Sequence, residues 1–210
     1  MDKLNFKVQI ANLAHVGYAE EICHLMEESA KVRGTGIAKR KPEYIRDKML
    51  EGKAVIAFSD EKMAGFCYIE SWGDKKFAAN SGLIVAPEFR KSGLARLIKK
   101  KAFEMSRAKF PDAKIFGITT SLAVMKINSE LGYKPVTFSE LTDDDAFWKG
   151  CASCVNYDIL QRNNRKMCLC TAMLFDPAKK NKRFNFTEKF KILERFIRFT
   201  HKFLNNINDQ

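Results

Sequence analysis

Residues 83–98, LIVAPEFRKSGLARLI, constrain this chain more than any other stretch. The segment opens as an apolar run rich in β-branched residues, the composition of a buried strand. Pro87 ends that strand, because proline has no N–H to give a ladder. Beyond it Leu94, Leu97, Ile98 and Phe103 recur at helical spacing. A strand therefore runs into a helix through a basic, small-residue elbow: Arg90, Lys91, Ser92, Gly93, Leu94 and Ala95. The first turn of a helix leaves backbone N–H groups without partners, and the helix dipole adds positive charge there. An anion is favoured at such a place. Gly93 and Ala95 let a diphosphate approach the backbone, and Arg90 and Lys91 add full charge.

The rest of the chain alternates strands and helices. Residues 6–10 alternate as a first strand, and Val16, Ala19, Ile22, Cys23, Met26 and Ala30 form a helical stripe. A short helix over 42–49 has proline in its first turn. Strands follow over 54–58 and 63–69, joined by a turn at 60–62, and again over 77–85. After a helix over 91–108 come a strand at 114–119, a helix at 121–131 stopped by Gly132, and extended chain at 134–137. The order β-α-α-β-β-β-α-β-α-β implies an α/β fold, a mixed sheet with helices on both faces. Residues 138–170 form a Cys-rich insertion before a last strand at 169–175, so the domain spans 1–176.

Composition narrows the classes. At 210 residues the chain can bury one sizeable core. No apolar run of about 18 residues exists, so no membrane span is expected, and residues 1–5 lack a signal-peptide core. Cytoplasmic residence is the default. The formal charge of +12 gathers in the tail and in Lys99-Lys100-Lys101. Such tracts read as solvated faces; no nucleic-acid signature accompanies them and no nucleic-acid partner is expected. In the tail, Phe186, Phe190, Leu193, Ile197 and Leu204 lie near one helical face, with Lys191, Arg195, Arg198 and Lys202 opposite. Residues 177–210 thus read as a basic amphipathic helix. It is expected to pack on its own domain or on a second copy in a homodimer, ahead of a membrane surface.

The elbow, Arg90-x-x-Gly93-x-Ala95 after Val-x-Pro, resembles the acyl-CoA-binding signature of the GNAT superfamily of N-acyltransferases. The element order is similar to that fold. Over about residues 6–141 the chain looks more closely like the acyltransferase domain of N-acetylglutamate synthase. Thr119-Thr120 after a strand, Gly132-Tyr133-Lys134-Pro135 after a helix, and Lys39-Arg40-Lys41 before a short helix carry that likeness. It implies transfer of an acetyl or similar group from acyl-CoA to the α-amine of glutamate or a related amino acid. Alternatives are acylation of a protein or peptide amine, or a non-catalytic module with a degenerate acyl-CoA pocket.

The resemblance also assigns roles. Leu83, Ile84 and Val85 would pair with the pantetheine arm, with an Ile84 or Val85 amide at the developing oxyanion. Residues 90–95 would hold the diphosphate, and Asn128 would lie against the cofactor. Lys39 and Arg40 would bind the substrate carboxylate, since a guanidinium matches one bidentately; the alternative is a solvated loop. Thr119 and Thr120 would hydrogen-bond thiolate or substrate, or merely cap structure. The strand carries Ala78-Ala79-Asn80-Ser81 where the family often has a carboxylate. Glu70 and Glu88 are the remaining candidates for general base. Where many members have an acid tyrosine, near Asn128, this chain has none.

Cys151-x-x-Cys154 and Cys168-x-Cys170 could form a four-thiolate structural zinc site, supplying stability to an insertion poor in large apolar residues. A disulfide pair or buried free thiols are the other readings, the disulfide being disfavoured in a reducing compartment. Cys23 and Cys67 read as core.

Overall fold

A computed structural model describes residues 5–33 and 38–179. The basic tail helix expected at 177–210 therefore falls almost wholly outside the described residues. By its contacts the chain divides into units 1–177 and 178–210.

Seven strands form one sheet: β1 (Phe6–Ile10), β2 (Ala54–Ser59), β3 (Lys62–Trp72), β4 (Phe77–Val85), β5 (Lys114–Thr119), β6 (Lys134–Val136) and β7 (Thr171–Phe175). Their spatial order is β1-β2-β3-β4-β5-β7-β6. Pairing is antiparallel except at β4–β5. This is the expected mixed sheet. Helices α1 (Ala19–Arg33) and α2 (Pro42–Leu50) cover one face. There Ile22, Met26, Ile45 and Met49 pack on Ile56, Phe66, Tyr68 and Ile84. The other face carries α3 (Leu94–Lys109), whose Leu94, Ile98, Ala102 and Met105 meet Val55, Ala57, Cys67 and Ala78. Alternate residues of β2 and β3 thus feed both cores, which explains the unbroken burial of β2 and of residues 63–69 in β3. Helix α4 (Leu122–Glu130) begins at Ser121, whose side chain caps the Val124 amide.

Two features of β4 place the functional region. The first is its short pairing with β5, which ends at Ala79–Phe116. Beyond that point the strands part. The second is a bulge. Phe66 pairs with Ile84 but Tyr68 with Ser81, so β4 carries one residue more than β3 across the interval. Gly82 lies there with φ +63°. A Cβ on it would come within 2.5 Å of Tyr68 Cε1 and 2.9 Å of Met26 Cε. Only glycine meets both demands, of backbone and of space.

Helix α3 starts at Leu94 rather than Lys91, because Lys91 (φ 64°) and Gly93 (φ 88°) are left-handed and cannot join a right-handed helix. Within α3, Lys99 departs from the solvated tract read in the sequence. It is 2% exposed and lies beneath the sheet. Burial pushes its ammonium down to about 8, with the Cys67 thiol opposing that shift.

The insertion also differs from expectation. Helices α5 (Asp145–Lys149) and α6 (Tyr157–Arg162) anchor through Phe138, Leu141, Phe147, Trp148 and Leu160, packed on Phe116 and Leu174. Trp148 Nε1 donates to the Thr142 carbonyl at 2.9 Å. The segment is therefore not poor in large apolar residues, and needs no metal to hold it. The last strand begins at Thr171, so Cys168 and Cys170 precede it and strand alternation does not align them.

Replacing Gly82 by alanine should cost about 2 kcal/mol or more, from left-handed strain plus overpacking. Urea unfolding should show a lower midpoint with an unchanged slope. Lys99→Met should stabilise. The native amine releases its proton near pH 8 and the unfolded one near 10.5, so the wild type carries its full burial penalty below pH 8. That penalty fades as pH rises from 8 to 10.5, where the unfolded chain binds more protons. A gain of about 3 kcal/mol at pH 7 is expected, shrinking above pH 8, by denaturant titration at several pH values.

Candidate acyl-transfer site

Where β4 and β5 part, a cavity of about 690 Å³ opens, a volume in the range of small-molecule sites. Four groups of residues wall it. Arg40, Tyr44, Tyr68 and Glu70 lie on the α1–α2 side. Asn80 to Ile84 of β4 and Gly117 to Thr119 of β5 flank the split. Lys99, Val124 and Asn128 come from α3 and α4. Phe138, Phe147 and four cysteines, Cys151, Cys154, Cys168 and Cys170, close the insertion side.

Arg40 precedes α2, where Pro42 fixes the helix start. Its Nε donates to Tyr68 Oη at 2.8 Å, and Nη1 donates to the carbonyls of Lys39 and Gly150 at 2.9 and 3.3 Å. The guanidinium also lies 5.8 Å from the Tyr44 ring centre. Among the described residues no carboxylate forms an ion pair with it. Glu70 Oε2 pairs with Lys48 Nζ at 2.7 Å and accepts from Tyr44 Oη at 2.8 Å. Burial, then the nearby Tyr68 and Glu70, hold the Tyr44 phenol far above its ordinary range, so it stays protonated and donates to Glu70.

The edges of β4 can be assigned. Ala86 N donates to Ala64 O on β3. The Ile84 carbonyl also faces β3, 2.8 Å from where a Gly65 Cβ would sit. Since backbone groups alternate between edges past the bulge, Val85 turns its own toward the split. The Ile84 amide, one of two expected at the oxyanion, is therefore spent in the ladder. Leu83, beside the bulge, lines the cavity and Val85 does not.

The elbow lies apart from the cavity wall. Arg90 is not a free phosphate ligand: its Nε donates to Val85 O at 3.2 Å and its Nη2 to Ser29 Oγ at 3.0 Å, tying the end of β4 to α1. Ser92 Oγ donates to Phe89 O and accepts from Leu94 N only at 3.4 Å. Helical bonding starts with Arg96 and Leu97, both to Gly93 O, so the Ala95 amide has no helical partner. Nothing lies within 4 Å of where a Gly93 Cβ would project. The elbow is open, as a diphosphate requires.

Among the remaining expected residues, Thr119 is on the cavity wall and accepts from the Ser121 amide at 3.1 Å. Lys39 and Thr120 are not on that wall, and Lys39 is exposed. Asn128 is 1% exposed; its Nδ2 reaches only Met173 Sδ at 3.7 Å, and its Oδ1 has no partner. The four insertion cysteines converge, but no group of three or more metal-ligating side chains among the described residues could hold an ion, and none of the thiols is disulfide-bonded. The expected zinc cage is not formed. Cys151, Cys168 and Cys170 instead pack against the aromatic cluster of the insertion. Burial pushes Cys151 up to about 11 and Cys170 up to about 12, keeping both as thiols.

Sequence reading missed Gly82, Tyr44, Tyr68 and Lys99. A glycine inside a strand is itself a bulge signal. Lys99 stands between Ala102 and Phe103 on the wheel of α3, which marks the inward face.

Comparison with known proteins agrees with this architecture. No curated protein matches the chain in sequence. Among solved structures, the N-acetylglutamate synthase of Neisseria gonorrhoeae, complexed with coenzyme A and N-acetyl-glutamate, superposes with a TM-score of 0.60 at 14% identity, covering 83% of this chain and 36% of that one. This chain thus spans about a third of that enzyme's length. Rv2747 from Mycobacterium tuberculosis, in complex with CoA, gives 0.57 at 14% identity, covering 81% of this chain and 98% of that one. Ard1 from Thermoplasma volcanium gives 0.53 at 10% identity, covering 81% and 97%. Across the helices and strands that build the split, a sequence profile matches residues 19–123, and by that match the chain belongs to the acetyltransferase (GNAT) family.

Proposed function

We propose that this protein transfers the acetyl group of acetyl-CoA to the α-amine of a glutamate-like amino acid, by direct attack with both substrates bound. The observation that carries the acceptor class is Arg40. It is a guanidinium on the cavity wall with no carboxylate among the described residues to neutralise it. A half-buried cation without a counter-ion is costly, and an incoming carboxylate supplies one.

The donor fits the open features of the chain. The diphosphate would rest on the amides at the start of α3, with Gly93 giving clearance and Lys91 charge. The pantetheine arm would lie along the open edge of β4, past Val85. Leu83 then offers its amide to the carbonyl oxygen as charge develops there, a contact of the kind worth about 3 kcal/mol. Holding amine and thioester together contributes more, up to about 7–11 kcal/mol.

The ammonium must lose a proton before it attacks. Glu70 is the carboxylate on the acceptor side of the cavity. Its Oε2 is held by Lys48 and Tyr44, which leaves Oε1 to accept that proton directly or through a water. Attack gives a tetrahedral adduct, loss of a second proton from nitrogen follows, and collapse breaks the C–S bond. The sum is an N-acetyl amino acid, CoA thiol and one released proton.

Thiol release and product mass should be measured with acetyl-CoA against glutamate, other amino acids and peptide N-termini. Turnover with acidic amino acids is expected; peptide-only turnover, or none while CoA binds, would overturn the reading. Arg40→Gln should raise KM for the amino acid roughly 10- to 100-fold, the worth of one or more charge-assisted contacts, with KM for acetyl-CoA nearly unchanged. Glu70→Gln should lower kcat about 100-fold at neutral pH, and less as alkaline pH deprotonates the amine unaided.

A further inference from the structure

Lys99 is a buried cation that the mechanism above does not use. Its Nζ lies at the crotch of the split. A Cβ placed on Gly117 would be 3.8 Å from Lys99 Nζ, 3.8 Å from Asn128 Nδ2 and 3.7 Å from the Asn80 carbonyl. Gly117 and Asn80 immediately follow the last β4–β5 pair. Lys99 and Asn128 both line the cavity. Among the described residues Nζ has no ion pair and no hydrogen bond; its near neighbour is the face of Tyr133, whose ring centre is 5.6 Å away.

The polar groups around it are already committed. Tyr133 Oη donates to Asn80 Oδ1, and Asn80 Nδ2 donates to Ser106 Oγ, both at 2.7 Å. Ser106 Oγ donates to Ala102 O at 2.8 Å. The titratable groups facing Lys99 are Cys67 on β3 and Tyr133 after α4. Burial holds the Cys67 thiol up at about 11 and the Tyr133 phenol well above its ordinary value. Both are neutral at physiological pH, so no protein anion answers the ammonium. The orphaned Oδ1 of Asn128 stands on the same wall. An uncompensated ammonium is retained in a cavity at the cost of stability where a ligand brings negative charge to it.

Position selects which ligand. Arg40, Tyr44 and Glu70 belong to the α1–α2 side and would face the acceptor, whereas Lys99 and Asn128 come from α3 and α4, the side whose helix start would hold the diphosphate. Charge develops on two atoms of the donor: first on the carbonyl oxygen, which the Leu83 amide would meet, and then on sulfur, which has no partner in the mechanism above. We propose that Lys99 is a catalytic residue that stabilises and protonates the leaving CoA thiolate, an assignment that rests on the acyl-CoA reading above. As the C–S bond breaks, its electron pair goes to sulfur. A proton passes from Nζ to sulfur, and the neutral amine regains a proton from solvent as products leave. An ammonium near pH 8 is matched to a thiol, whose ordinary value is about 8.5.

The test has two readouts. With wild type, Lys99→Met and Lys99→Gln, kcat and KM are measured from pH 6 to 10, and thiolate ultraviolet absorbance is titrated in the complex with CoA. The expected results are a loss of about 100-fold in kcat for both variants with little change in KM for acetyl-CoA. The wild-type fall in kcat above about pH 8 disappears. The thiolate fraction of bound CoA at pH 8 drops several-fold. Thermal melts confirm that the variants fold. Unchanged kcat and thiolate ionisation in both variants would overturn the assignment. So would a switch in acyl-chain preference with thiolate ionisation unaltered, which would place Lys99 at the acyl chain. No turnover by wild type with any amine, alongside Lys99-dependent thiolate in bound CoA, would sink the proposed acceptor and leave this inference standing.

Discussion

The parting of β4 from β5 is the constraint on which everything else rests. Three residue pairs, Phe77–Lys114 to Ala79–Phe116, hold the two strands parallel, and then the ladder stops. Backbone groups beyond that point must find other partners, because leaving them buried and unpaired is costly. A ligand that lies in the gap and hydrogen-bonds like a strand solves the problem. The site is in that sense an unfinished sheet. The bulge at Gly82 and the bracing of Val85 by Arg90 keep the open edge in one conformation while it waits.

The two faces of the sheet divide the labour. On the α1–α2 side, Arg40 and Glu70 sit within a network with Tyr44, Tyr68 and Lys48. On the other, Lys99 and Asn128 stand among groups that are hydrogen-bonded to one another but not to them. Satisfied networks fix geometry, and unsatisfied groups respond to what binds. The α1–α2 side is thus the rigid one, and the α3–α4 side holds an uncompensated charge. A buried charge kept on a cavity wall, where it weakens the fold, is the usual form of a trade between stability and activity.

Much of this was legible in the sequence. The bounds of β1, β4 and β5 follow from alternation and β-branched content, because those segments obey local rules. The elbow follows from proline and glycine placement. What escaped depends on tertiary contact. Lys99-Lys100-Lys101 looks like one solvated tract, yet helical geometry sends the first residue inward and leaves Lys100 and Lys101 at partly or fully exposed positions. Arg90 reads as a phosphate ligand until Ser29, distant in sequence, is seen to bind it. The cysteine spacing suggests metal, but spacing does not encode that Phe147 and Trp148 already fill the role a metal would serve. The Gly82 bulge needs the register of two strands together.

The aromatic packing of the insertion has an optical consequence. The chain has two tryptophans. Trp72 lines the cavity, with its ring centre 5.1 Å from Phe147; Trp148 lies 4.7 Å from Phe147 and stacks on Phe138 at 5.8 Å. Phe138 and Phe147 are themselves part of the cavity wall. Every indole in the molecule therefore senses the same chamber, at first or second hand. The native emission of this protein is a built-in gauge of what occupies it, with no label attached.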